Sequence, residues 1–265
     1  MLNERSKQVR RDTITLSKAN GGYHFGGCFS CTEILIALFD HVLDKGDRFI
    51  LSKGHACWPY YVLLREIGNN PKLTGHPSRD PNNGVPCTTG SLGHGLPMAL
   101  GMALAKKATG QPGKVYVLMG DGECQEGTTW ESLLIAANMG LDNLVVIVDW
   151  NQIQGSGSVA AVSPATTRFP EVPERLGWED AVVDGHDTNL LRAALLNCCV
   201  MINVTALADP EKVYKEGTAK EQKAPRIIFA QTVKGKGVSF MENSPAWHAK
   251  WLDDGFERQA REELA

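Results

Sequence analysis

Asp121, set between Gly120 and Gly122, and Asn151, thirty positions later, are the pair whose types and spacing point first to chemistry. A carboxylate and a carboxamide both present hard oxygen atoms, which suit Mg2+ or Ca2+. Mg2+ takes few protein ligands and completes its shell from phosphate oxygens and water. The flanking glycines let backbone N–H groups come close to an anion. The site such residues would build is a divalent cation bridging a bound diphosphate. Four histidines also lie in loops beside glycines: His24, His55, His76 and His248. Imidazole titrates near neutrality and can hold or move protons at a bound substrate.

The elements that must position these groups are legible. Two apolar runs, KVYVLM ending before Gly120 and NLVVIVDW ending before Asn151, bracket a helical pattern over 128–139. Strands so uniformly apolar are buried on both faces of a parallel sheet. A right-handed crossover then brings both strand ends, with Asp121 and Asn151, to the edge where open α/β sheets bind ligands. Further strands are expected at 47–52 (DRFILS), 178–184 and 226–233 (RIIFAQTV). Helices are expected at 4–18, on the surface; from a Ser30/Glu33 capping box through TEILIALFDHVL; up to Ile67; from Pro97 through PMALGMALAKKAT; and over about 189–207, capped by residues 185–188. Ala99, Gly101, Ala103 and Ala105 suggest a small-residue face packed on a second helix or on a partner chain. Loops are expected at 19–27, 68–90 and 155–167, the last covering the site, and the charged stretch 209–224 is expected to be exposed. Alternating strands and helices make this an α/β protein: a doubly wound, mostly parallel sheet with helices on both faces, in one domain over 1–265.

With 265 residues, 43% hydrophobic and 22% charged, the chain can bury a large core. A net charge of −3 without a dense basic run argues against nucleic acid as a partner. No apolar stretch reaches membrane-spanning length, and MLNERSKQVRRDT lacks the apolar region of a signal peptide, so a soluble, cytoplasmic protein with no membrane partner is expected. Seven cysteines without a secretory context do not make a disulfide framework. Cys28 and Cys31 match C-x-x-C formally, but no second pair exists for zinc; they read as small residues packing near a ligand.

GDG, a helix, a second strand and an Asn at this distance resemble the thiamine-diphosphate motif, and GDGECQEGTTWE…LDNLVVIVDWNQI resembles the transketolase branch in particular. HFGGCFSCTEI, DRFILSKGHA, GHP with TTGSLGHG, and TVKGKGV…WH are similar to the four stretches carrying the family's catalytic histidines, in the same order over roughly residues 10–252. The resemblance implies thiamine diphosphate with Mg2+ (Ca2+ as a possible substitute) and transfer of a two-carbon ketol unit from a ketose to an aldose, either of them phosphorylated. It implies proton transfer by His24 and His248, with His55 facing the diphosphate and donor and His76 a donor hydroxyl. Asp121, Asn151 and the Ile153 carbonyl would bind the metal. Gly90, Leu92, Gly120, Gly122, Glu123, His55 and His248 would line the cofactor, with the Gly122 amide on the diphosphate. Glu126, with Glu131, would lie at an interface between chains, linking two sites through self-association of this domain. His94, in the cofactor-facing loop by resemblance but where other family members carry Gln, is not read as an acid–base group, and His186 and His41 are read as structural.

A full-length transketolase is more than twice this long, and its second domain supplies the glutamate that activates the aminopyrimidine. The resemblance therefore implies a split enzyme, a heterotetramer in which the partner is a separate C-terminal subunit. Gly-Tyr23-His24-Phe25 replaces the family's usual Ser-Gly-His-Pro, so two aromatics are expected to reshape the substrate channel. Alternatives are a split transketolase for a modified sugar, a deoxyxylulose-phosphate synthase-like enzyme, and a non-catalytic cofactor-binding module. SKGHA and TTGSLGHG argue against a 2-oxo-acid dehydrogenase.

Overall fold

The computed structural model of the chain describes residues 2–197 and 223–265. The chain opens with α1 (Glu4–Ala19), α2 (Phe25–Ser30), α3 (Thr32–His41), β1 (Arg48–Leu51) and α4 (Cys57–Glu66). Then follow α5 (Gly95–Thr109), β2 (Val115–Gly120), α6 (Gly127–Asn138) and β3 (Leu144–Trp150). A small hairpin of β4 (Ile153–Gln154) and β5 (Gly157–Ser158) leads to short helices α7 (Val159–Val162) and α8 (Val172–Arg175), then β6 (Glu179–Asp184), α9 (Thr188–Leu196), β7 (Arg226–Gln231) and α10 (Asp254–Glu263).

The main sheet is parallel throughout, in the order β1-β2-β3-β7-β6. Gly120 lies beside Asp149 in register, so β2 and β3 end together, as the spacing of Asp121 and Asn151 requires. Because strand side chains alternate, the two faces carry separate cores. Phe49, Leu51, Tyr116, Leu118, Ile147 and Ile228 face α1, α3, α4 and α9. Ile50, Val117, Met119, Val148 and Phe229 face α5, α6 and the 164–171 segment. Each large aliphatic side chain buried this way contributes about 1.5–3 kcal/mol.

Several local expectations are corrected. The first helix is not a surface helix: Val9, Arg10, Thr13, Ile14 and Ser17 are buried against the core, and the polar members of that face hid its amphipathicity. Ser30 and Glu33 form no capping box. Ser30 ends α2 and donates to Asp149, while Glu33 pairs with Arg10. Gly26 and Gly27 belong to α2, not to an irregular loop. Ala99 and Ala103 are buried, but Gly101 and Ala105 are exposed, since residues two apart cannot share a helical face. The 155–167 stretch holds β5 and α7. The helix expected over 189–207 is seen as α9, capped by Asp187; its remainder, and the charged stretch up to 222, lie outside the described residues. Among the described residues no helix is long and apolar enough to cross a membrane.

Candidate active site

The ends of β2 and β3 open into a cleft of about 340 Å3 lined by Asp121, Asn151, Ile153, His55 and His248 among others. Asp121 is 3% exposed; its Oδ1 accepts the Gly122 amide at 2.8 Å and its Oδ2 accepts the Gln152 amide. Gln152 takes a left-handed conformation, φ 65°, which turns the chain sharply between Asn151 and Ile153. Burial, then the charge of Asp149, pushes the Asp121 carboxyl up to about 6. A cation beside it would relieve that cost.

Behind the strand ends lies a buried polar network. Lys53 and Asp149 form an ion pair with 2% and 0% of their side chains exposed. Asp149 Oδ1 also accepts from Ser30 at 2.7 Å and from Thr232, and Ser30 Oγ in turn accepts the Asn151 amide N–H at 3.1 Å. This fixes the Asn151 flip, so its Oδ1 faces away from Ser30; that oxygen accepts the Ile153 N–H at 3.0 Å. Burial opposes the Lys53 charge, yet Asp149 raises its pKa above the usual lysine value.

Glu123, expected at the cofactor, has its carboxylate occupied by the protein. Oε1 accepts from Ser52 and from the Gly93 amide at 2.9 Å, and Oε2 accepts the Gly120 amide at 2.8 Å. It ties three loops of the cleft together. Glu126 is exposed on the rim of the cleft and Glu131 is exposed on α6.

The four histidines converge. His24 lies 5.5 Å from His55, 6.2 Å from His76 and 5.6 Å from His248, and His55 lies 5.1 Å from His248, between ring centroids. They come from the start of α2, the turn after β1, the 68–90 loop and the turn after Ser244. Glycines leave room for the rings: a Cβ at Gly27 would stand 3.1 Å from His55, at Gly90 3.0 Å from His76, and at Gly155 3.2 Å from His248. His24 itself is left-handed, φ 71°, a strained state for a non-glycine residue. Among the described residues no three His, Cys, Asp or Glu side chains are arranged to hold a metal, so the histidines are not a metal cluster. Burial, reinforced by neighbouring positive groups, lowers His24 and His248 to about 4 and His55 well below its usual value. Three neutral imidazoles at physiological pH result.

Tyr23 is half exposed, its ring 4.3 Å from that of His24, whereas Phe25 is fully buried against Phe29 and does not reach the channel. Leu92 and His94 are exposed on the loop before α5. Cys28 and Cys31 are free and buried, and burial pushes both thiols up, Cys31 to about 12, so neither is a reactive thiolate.

Sequence reasoning passed over Lys234, which is 2% exposed and whose Nζ donates to the Ile153 carbonyl at 2.8 Å. Burial, then the charge of Lys53, lowers it to about 8. It also passed over Lys53 and Asp149. The signal was present: Asp149 is an acid inside an apolar run, and a buried acid requires a cation.

The donor set fits a divalent cation with a diphosphate: one carboxylate, one carboxamide and one carbonyl at a single edge, flanked by two buried lysines. Thr89 Oγ1, buried in the same region beside Gly54 and Gly90, has no hydrogen-bond partner among the described residues.

The profile of a family described as "Transketolase, thiamine diphosphate binding domain" matches residues 7–265. The chain is 34% identical to one of the subunits of the apulose-4-phosphate transketolase of Actinobacillus succinogenes, over 94% of this chain and 90% of that protein. It is 32% identical to the transketolase of Homo sapiens over 99% of this chain, but spans only 42% of that protein. The solved transketolase from Campylobacter jejuni superposes with a TM-score of 0.73 at 27% identity, covering 98% of this chain and 42% of that one.

Proposed function

The chain belongs to the transketolase thiamine diphosphate-binding domain family, and from that premise we propose that it is the N-terminal subunit of a two-chain transketolase. The observation that carries the reading is the convergence of His24, His55, His76 and His248 beside Asp121 and Asn151. Asp121, Asn151 Oδ1 and the Ile153 carbonyl would hold Mg2+, with Ca2+ as a substitute. The Gly122 amide and Lys234 would face the diphosphate. Thiamine diphosphate, when bound, supplies the carbon nucleophile and electron sink through which a ketose C–C bond is broken and a two-carbon unit passes to an aldose.

The chain's own groups supply the proton handling. Neutral imidazoles of His24 and His55 can accept a proton from a sugar hydroxyl and return it, and His248, whose Nδ1 faces Lys234, can donate from Nε2 to an oxygen that gains negative charge. Lys234 keeps a positive charge in the wall of the same cleft and orients His248 from its Nδ1 side at 3.0 Å. The glutamate that activates the aminopyrimidine would come from a separate C-terminal subunit; the A. succinogenes relative, whose name marks it as one chain of a multi-chain enzyme, supports this. A modified-sugar substrate is favoured over ordinary pentose phosphates by that relative's name and by Tyr23, whose exposed ring flanks His24.

The test is calorimetric titration of thiamine diphosphate with Mg2+ into the purified chain, with and without the product of the neighbouring reading frame, alongside ketol-transfer assays. Cofactor binding should require Mg2+, vanish in Asp121→Ala, and tighten with the partner, and turnover should appear only in the mixture. Robust turnover by this chain alone would overturn the split reading; unaltered binding in Asp121→Ala would overturn the site.

A further inference from the structure

His186 stands apart from the four clustered histidines, yet its ring joins a buried chain of hydrogen bonds that ends at the residue before Lys234. Its Nδ1 lies 2.8 Å from Oε2 of Glu33, and its Nε2 accepts the backbone N–H of Val233 at 2.8 Å. Glu33 is 1% exposed and gripped by the fully buried Arg10, from Nη1 to Oε1 at 2.6 Å and from Nη2 to Oε2 at 2.9 Å. Arg10 is itself anchored on the Phe29 carbonyl at 2.7 Å, at the end of α2. Burial works against the charge of Glu33, but Arg10 and His186 hold its carboxyl down at about 2. An ionised carboxylate accepts and cannot donate, so Nδ1 of His186 must carry the proton and Nε2 must be bare. Only that tautomer can receive the Val233 N–H.

Val233 directly precedes Lys234. The peptide held by His186 therefore carries the lysine that reaches the Ile153 carbonyl at 2.8 Å and His248 Nδ1 at 3.0 Å. On the far side of Lys234, the Gly235 amide donates to the Gly26 carbonyl at 2.9 Å. The turn after β7 is thus held by backbone at the lysine's own carbonyl, which accepts the Asn243 amide at 2.9 Å, and at Gly235, and by a side chain only at Val233. The backbone pins are available to any sequence; the side-chain pin exists only with His186, Glu33 and Arg10 in place.

We propose that His186 is a positioning residue: by accepting the Val233 N–H in the tautomer that Glu33 and Arg10 impose, it sets where Lys234 meets Ile153 and His248. The role assigned to Lys234 rests on the proposed function; the pinning of its backbone does not.

Two isosteric variants separate the halves of the ring. His186→Gln brings an amide oxygen to the Nε2 position and can still accept the Val233 N–H. His186→Asn keeps an amide donor for Glu33 at the Nδ1 position and leaves Val233 unpaired. Amide hydrogen exchange across residues 232–236 of the full-length chain, without cofactor, is the first readout. Calorimetric affinity for thiamine diphosphate with Mg2+ is the second. His186→Asn should speed exchange at 232–236 about tenfold and weaken cofactor binding about tenfold, the loss of one buried hydrogen bond, while β2 and β3 exchange as in the wild type. His186→Gln should stay within about threefold of wild type in both readouts. Wild-type exchange at 232–236 in His186→Asn, or equal loosening of the whole sheet in both variants, would overturn the proposal. Should the wild-type chain bind no cofactor, the functional reading fails and the exchange arm still decides the positioning role.

Discussion

Nζ of Lys234 lies 3.0 Å from Nδ1 of His248. An ammonium has no acceptor, so the imidazole must accept here and carry its single proton on Nε2. Burial and then the charge of Lys234 lower His248 to about 4, while Lys234, lowered to about 8, is still mostly protonated at neutral pH. One contact thus fixes the charge, tautomer and orientation of a histidine beside His24 and His55, and leaves it ready to give a proton from Nε2.

The clustered imidazoles make stability depend on pH with a definite sign. His24 and His248 fall to about 4 and His55 well below 6.5, so between about pH 6.5 and 4 the unfolded chain binds protons that the folded chain refuses. Their contribution is intact above 6.5 and is lost as pH falls toward 4. Asp121 has the opposite sign: raised to about 6 from 3.8, its contribution is intact below 3.8 and lost as pH rises through 6. The Tm of the cofactor-free chain should drop from pH 7 to 4.5, less steeply in His24→Asn and His248→Asn. Asp121→Asn should steepen that drop and raise Tm at pH 7.5. A wild-type Tm that is level over this range would contradict the assignment.

Lys53 and Asp149 should be strongly coupled. Removing one partner strands a charge in a site with almost no solvent contact, so Lys53→Met should cost about 3–5 kcal/mol in urea unfolding. Adding Asp149→Asn should restore part of that loss, since the neutral amide can still accept from Ser30 or Thr232. Additive losses in the double-mutant cycle would show that the pair contributes no interaction of its own.

Glu123 offers a test of position against contact. Its two oxygens accept from Ser52, Gly93 and Gly120. In Glu123→Gln one amide N–H must face a donor, which should cost about 2 kcal/mol of stability and weaken cofactor binding only through the loosened loops. Full stability with abolished binding would instead make Glu123 a direct ligand of the cofactor.

The parallel sheet, the meeting of Asp121 with Asn151 and the family were legible from the sequence, because they rest on local pattern. A uniformly apolar run encodes a strand buried on both faces, a crossover of this length encodes a parallel neighbour, and strand ends then share an edge. The four histidines could be picked out by their glycine-rich loops. Their meeting within 5.1–6.2 Å could not, since it depends on four loops separated by up to 224 positions. Local pattern also misled where burial is polar. The face of α1 that carries Arg10, Thr13 and Ser17 looks like a surface, and becomes interior only because Glu33 of α3 is there to receive Arg10. Phe25 was expected in the channel and is buried in the core; Tyr23, two positions earlier, stays half exposed beside His24. Residue types and their spacing thus determined which chemistry is available and at which sheet edge. Tertiary contact alone decided that Lys234 lies against Ile153 and His248, that Glu123 accepts from Ser52, Gly93 and Gly120 and that His186 grips Val233. A charge or tautomer is set by its neighbours in space, and those neighbours come from distant parts of the chain.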